Sequence, residues 1–136
     1  MPDDVIMNKV AIIERSVERA REEFYKDESS FDKDYTRQDA AILNIQRACE
    51  AAIDMGHRVI HKRRLGLPQS ASDVFALLFA EGLIDDLTAK SLTGMVGFRN
   101  IAVHDYQKIQ LPIVKAIITK HLDDLTVFAS AMLMLE

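Results

Sequence analysis

The segment Phe98-Arg99-Asn100-Ile101-Ala102-Val103-His104-Asp105-Tyr106 interrupts an apolar run with groups that bind phosphate and move protons. Arginine presents a permanent planar fork of donors that fits a phosphate, histidine exchanges a proton near neutral pH, and tyrosine adds a hydroxyl. These are the parts of a phosphodiester site. At about 100° per residue, Arg99 and His104 stand roughly 140° apart on an ideal helix and cannot share one face. Either the helix ends before His104 and the chain turns back, or a second copy completes the site across a two-fold axis, or both. The competing structural reading is that Arg99 pairs with a nearby carboxylate and His104 caps the helix C-terminus.

Other candidates are weaker. The run His57-Arg58-Val59-Ile60-His61-Lys62-Arg63-Arg64 gathers four permanent cations, Arg58, Lys62, Arg63 and Arg64, as candidate RNA contacts. It has an equal claim to be a helix C-terminus, where cations complement the dipole. His57 and His61, four apart, could meet on one helix face, but no third ligand accompanies them, so the sequence calls for no metal and no cofactor. Cys49 lies among Ala48, Ala51 and Ala52 with no second cysteine to pair with, which fits a reducing cytoplasm. The net charge of −4 argues against a generic nucleic-acid binder, so any RNA contact must come from a local patch.

Helical periodicity supplies the elements that must position these groups. Ile6, Val10, Ile13, Val17, Ala20 and Phe24 alternate spacings of four and three, predicting a helix over about 4–26. Residues 27–34 are polar and aperiodic and read as a loop, with Thr36 as cap for a second helix over about 37–64. That helix is apolar around much of its circumference, as a central or shared helix would be, and its small residues at 48, 51, 52 and 56 allow close approach. Leu65-Gly66-Leu67-Pro68 breaks it. Ser70 with Asp73 resembles a capping box for a short helix over about 71–81, with Gly82 at its left-handed end. A fourth helix starts near Asp85 or Asp86 and carries Leu87, Leu92, Met95, Val96 and Phe98 toward the motif. Gly94 and Gly97 on it imply close packing against something. The last helix starts at Pro112 and runs to Leu135, its inner stripe Ile113, Ile117, His121 or Leu122, Leu125, Phe128 and Met132.

A chain of 136 residues buries one core but hardly two, so residues 1–136 read as one domain. Hydrophobic residues at 49% and charged residues at 28% are those of a folded globular chain, and the short alternating runs that strands need are missing. The start, MPDDVIMNK, lacks a secretory pattern, and nowhere do about 18 uncharged apolar residues run together. Export and membrane spanning are not expected.

An Arg, a polar residue and then a His after four intervening positions, just before the last long helix of a helical domain, resembles the R-x4-6-H signature of HEPN domains. Tyr106, two positions beyond His104, resembles the R-x4-H-x-Y form of the HepT toxins. Helix count, helix order, the long second helix and the place of the motif agree over nearly the whole chain. The resemblance implies an all-α, up-down four-helix bundle with an additional short helix, acting as a homodimer. It further implies the toxin of a HEPN/MNT toxin–antitoxin pair, a metal-independent endoribonuclease that cuts tRNA or mRNA by attack of the 2′-hydroxyl. His104 would then exchange protons, Arg99 hold the scissile phosphate and Asn100 orient it. A cognate minimal nucleotidyltransferase antitoxin would silence the toxin by attaching AMP to Tyr106. The alternative is a non-catalytic dimeric HEPN module that binds a nucleotide or that partner without cutting RNA. Asp105 has no role that the sequence assigns.

Overall fold

A computed structural model of the protein describes residues 3–135. Its long elements are helices α1 (Asp4–Tyr25), α2 (Tyr35–Arg63), α3 (Ala71–Ala80), α4 (Asp86–His104), α5 (Leu111–Ala116) and α6 (Leu122–Met134). Short 3-10 turns cover Glu28–Lys33 and Tyr106–Lys108, and α5 runs into α6 through a π-turn at Ile117–His121. No helix among the described residues is long and apolar enough to cross a membrane.

Aspartates start α1, α2 and α4, because a short carboxylate reaches the free amides of a first turn. Asp3 accepts from the Val5 and Ile6 amides, Asp34 from Arg37 and Asp85 from Thr88. The cap of α2 is therefore Asp34 rather than Thr36, which lies inside the helix. The expected loop before α2 is mostly a 3-10 turn, because Phe31 is fully buried there and edge-packed on Phe24. Ser70 caps α3 as expected, but the carboxylate of Asp73 reaches back to the Gln69 amide rather than to Ser70. Gly82 takes the left-handed conformation at the end of α3, φ 73°.

Three ties set the register of α1 against α2: Asp3 to Arg58 (2.8 Å), Lys9 to Asp54 (3.2 Å) and the Glu23 carbonyl to Arg37 (2.7 Å). As one number rises the other falls, so the two helices are antiparallel. Tyr106, just past the end of α4, meets Asp39 near the start of α2, so α4 also opposes α2. Gly56 lies beside Phe128, and Arg63 donates to the Leu135 carbonyl at 3.2 Å, so α6 runs parallel to α2. The bundle is up-down, with α2 central and touching α1, α3, α4 and α6. That position explains a helix buried on so many sides, and the small Gly56 lets Val74 and Leu78 of α3 come close.

Three core assignments shift. Leu87 and Ile113 are exposed, at 79% and 49%, and Val114 is the buried residue of α5. The π-turn inserts one residue into the last helix and advances its stripe, so that Ile117, Ile118 and Leu122 are buried and His121 is exposed. Gly94 and Gly97 face open space, since a methyl group at either would meet no atom of the described residues within 4 Å. The close contact that those glycines imply is not made among the described residues of one chain.

Candidate active site

Helix α4 continues through His104, so the chain does not turn back before it. Within one chain Arg99 and His104 therefore stay on different faces, Arg99 half-buried toward α2 and His104 exposed at the last helical position. Asn100 shares the outer side with His104 and is also exposed. The Nε of Arg99 is buried and has no hydrogen-bond partner among the described residues. Its positive charge is felt at Cys49 of α2, where burial pushes the thiol up to about 12 and Arg99 partly opposes that rise. A thiol so buried stays protonated and takes no part in chemistry.

Asp105 ends α4 and builds the turn that follows. Its amide donates to the Ile101 carbonyl (2.8 Å), its carbonyl accepts from the Lys108 amide (2.9 Å), and its carboxylate pairs with the Lys108 ammonium (3.0 Å) and accepts from Gln107. Asp105 thus has a structural role that the sequence does not assign. The turn presents Tyr106, whose hydroxyl donates to the carboxylate of Asp39 on α2. Burial, then the hydrogen bond to Asp39 and the charge of that carboxylate, push the Tyr106 phenol up to about 12, because each disfavours the phenolate.

Sequence reasoning misses Asp39, and it also misses Arg37, which fixes the start of α2. Arg37 donates from Nε to the Glu23 carbonyl (2.7 Å), from Nη1 to the Ser30 hydroxyl (2.8 Å), and from Nη2 to the Phe24 (3.1 Å) and Asp27 (2.9 Å) carbonyls. Buried arginines are rare, but nothing local marks this one as buried, and an i,i+3 pairing with Asp34 reads equally well. Asp39 carries no local signal at all, since its partner lies 67 residues away.

The basic run ends α2 at the opposite end of the bundle. Nineteen residues of helix separate Arg58 from Asp39, roughly 30 Å at 1.5 Å per residue. Arg58 and Lys62 are held by Asp3 at 2.8 and 3.1 Å, and Arg63 reaches the Leu135 carbonyl. Burial would raise the Asp3 carboxyl, but hydrogen bonds from Arg58, Lys62 and two backbone amides outweigh it and hold it at about 2. Arg64 takes the left-handed conformation that closes the helix, φ 54°. These four cations thus do not share a cleft with Arg99 and His104. Nearer the start of α2, a groove of about 590 Å³ between α1 and α2 carries Lys9, Arg15, Arg19 and Arg47 together with Glu50 and Asp54, and Lys9 is paired with Asp54 and Arg19 with Glu22 and Glu23. His57 is exposed, as is His61, and no group of three metal-binding side chains occurs among the described residues.

On its other side α4 is apolar. Gly94, Gly97, Phe98, Ile101, Ile109 and Ile113, with Lys108 and Gln110 at the connecting turn, line a shallow groove of about 340 Å³ between α4 and α5. Ile101 and Ile113 are both exposed there.

Residues 13–132 match the family model described as Ribonuclease HepT-like. The chain is 45% identical over 126 residues to the mRNA nuclease HepT of Shewanella oneidensis, covering 93% of this chain and 94% of that one. Among solved structures it superposes on a toxin–antitoxin with AMP-PNP at TM-score 0.93 and 42% identity, covering 98% of this chain and 100% of the other. It also superposes on the tri-AMPylated Shewanella oneidensis HEPN toxin in complex with MNT antitoxin, at TM-score 0.91 and 43% identity, covering 98% and 99%. With the helix order, the motif at the end of α4 and these matches over nearly its full length, the chain belongs to the HepT-like ribonuclease family.

Proposed function

We propose that the protein is the cytoplasmic toxin of a HEPN/MNT pair, a metal-independent endoribonuclease in which two copies assemble one cleft from their Arg99 and His104. The state of the polar groups supports this most directly. Arg99, Asn100 and His104 make no side-chain hydrogen bond or ion pair among the described residues, although Asp105, Tyr106, Gln107 and Lys108 beside them are all engaged. A buried donor left unmade costs about 1–3 kcal/mol, so the fold holds the Arg99 guanidinium at a cost, as a group kept for a substrate would be. A phosphate oxygen suits it.

The chemistry needs no metal. His104 takes the proton of the ribose 2′-hydroxyl or delivers one to the leaving 5′-oxygen, the 2′-oxygen attacks the adjacent phosphorus, and a cyclic phosphate remains. Arg99 stabilises the charge that builds on the phosphate, and Asn100 orients it. Because α4 keeps Arg99 and His104 on different faces, a second copy is the simplest way to complete the set. The exposed Gly94, Gly97, Ile101 and Ile113 give the bare apolar face on which two such helices can meet. Attachment of AMP to Tyr106 by a minimal nucleotidyltransferase antitoxin then silences the enzyme, because it sets a phosphate and a bulky nucleoside beside the site.

Purified protein incubated with total tRNA and mRNA in a metal chelator, beside His104→Ala, tests this. Cleavage by the native protein and none by the variant is expected. If neither cuts, and the native protein has its unmodified intact mass, the protein is a non-catalytic module. An added adenylate mass would instead explain the silence.

A further inference from the structure

The Tyr106 hydroxyl has one partner among the described residues, and that partner is suited to more than holding it. Asp39 lies one turn into α2, is exposed, and makes no other side-chain hydrogen bond or ion pair among the described residues. Both ends of the contact are held firmly. Arg37, two residues before Asp39, locks the start of α2 through its four hydrogen bonds, and Asp105, one residue before Tyr106, ties the turn that carries the ring. The phenol is also kept in its protonated form by burial and by this carboxylate. It is not a ready phenolate, so it becomes a competent nucleophile only if something accepts its proton during attack.

We propose that Asp39 is the general base for modification of Tyr106, taking the phenolic proton as the oxygen attacks the α-phosphorus of an adenosine triphosphate presented by a nucleotidyltransferase. This rests on the reading of Tyr106 as the adenylate acceptor. In the step a bond forms between Tyr106 Oη and the α-phosphorus. The bond from that phosphorus to the oxygen bridging to the β-phosphate breaks, its electron pair leaves with pyrophosphate, and the proton passes to Asp39. The toxin thus brings its own base to the reaction that silences it, and the partner enzyme supplies the nucleotide and its metal. A carboxylate accepting the proton of an attacking hydroxyl is the device by which kinases transfer phosphoryl groups to hydroxyl substrates.

The experiment is transfer of label from α-labelled adenosine triphosphate to the full-length protein by a minimal nucleotidyltransferase antitoxin, with Tyr106→Phe, Asp39→Asn and Asp39→Glu in parallel. Asp39→Asn keeps an acceptor oxygen but cannot take a proton. It should lower kcat for labelling by about a hundredfold or more, with KM for the nucleotide changed less than about threefold. Asp39→Glu should recover about tenfold of that loss, with helical content of all variants unchanged. Labelling of Asp39→Asn within about threefold of the native rate, or equal loss in Asp39→Asn and Asp39→Glu, overturns the proposal. A different outcome identifies failure of the underlying reading: native protein left unlabelled, or Tyr106→Phe labelled as well as the native chain, removes Tyr106 as acceptor and the role of Asp39 with it.

Discussion

Replacing Arg37 by Met should be among the most damaging single changes outside the hydrophobic core. α1 has no basic residue in its last turn, and Lys26 at its C-cap bonds the Glu22 carbonyl only through its backbone amide, so the Glu23 and Phe24 carbonyls need a partner from elsewhere. Arg37 reaches across from α2 to fill that role, bonding the Glu23 and Phe24 carbonyls, the Asp27 carbonyl beyond the helix and the Ser30 hydroxyl, with its guanidinium 5.6 Å from the Phe31 ring. Hydrogen bonds to a charged group contribute about 1.5–3 kcal/mol each, so four of them would total well over about 6 kcal/mol if they were independent. They are not independent, because one side chain makes all four and water can reach the neighbouring Glu23 and Asp27 once it is gone. About 3 kcal/mol is the expected cost, which at this size lowers Tm by roughly 10 °C. Arg37→Lys, which keeps the charge but not the fork, should lose about half as much. Urea unfolding followed by circular dichroism measures both, with an unchanged slope confirming that the unfolded state is not the cause. A loss below about 1 kcal/mol for Arg37→Met would refute the claim that this residue holds the junction of α1 and α2.

Three further outcomes are expected. A methyl group at Gly56 would lie 2.3 Å from Val74 Cγ1, a stiff and fully buried side chain, so Gly56→Ala should destabilise by about 1–3 kcal/mol in the same assay and Val74→Ala should relieve part of that loss. Ultraviolet titration of Tyr106 should show its phenol ionising near 12, and Asp39→Asn should bring it back toward the ordinary value of 10. Since the folded value lies above the unfolded one, this group supports the fold below pH 10, and its contribution fades as pH rises toward 12; a flat stability profile across that window in the native protein would contradict it. Arg99→Lys should cut RNA about a hundredfold more slowly while melting close to the native temperature, since the fork that cradles a phosphate is lost and no hydrogen bond to the described residues goes with it.

Much of this protein is legible in short stretches of its sequence. The alternation of three and four along α1 and the caps before α3 and α4 are local, because a helix is defined by contacts within about four residues. The Arg99, Asn100, His104 and Tyr106 set can be read for the same reason: it lies within eight residues of chain and its residue types alone name the chemistry. The 140° separation of Arg99 and His104 also follows from helix geometry, about 100° per residue, and the continuous α4 keeps it. Contacts between residues far apart in the chain are another matter. Asp39 matters because α2 and α4 are antiparallel and bring it to Tyr106. Arg37 reads as an ordinary surface cation, and only the folded chain sets the carbonyls ending α1 around it. The basic run at the end of α2 reads as an RNA patch or as a complement to the helix end, yet Asp3 folds onto Arg58 and Lys62, the first of these pairings spanning 55 residues. The exposure of Ile113 depends on a π-turn downstream in the last helix and on which neighbours α5 meets, neither of which periodicity encodes. Local backbone bonding writes helices and motifs into a short window of residues, whereas the state of a charge depends on what the folded chain sets beside it.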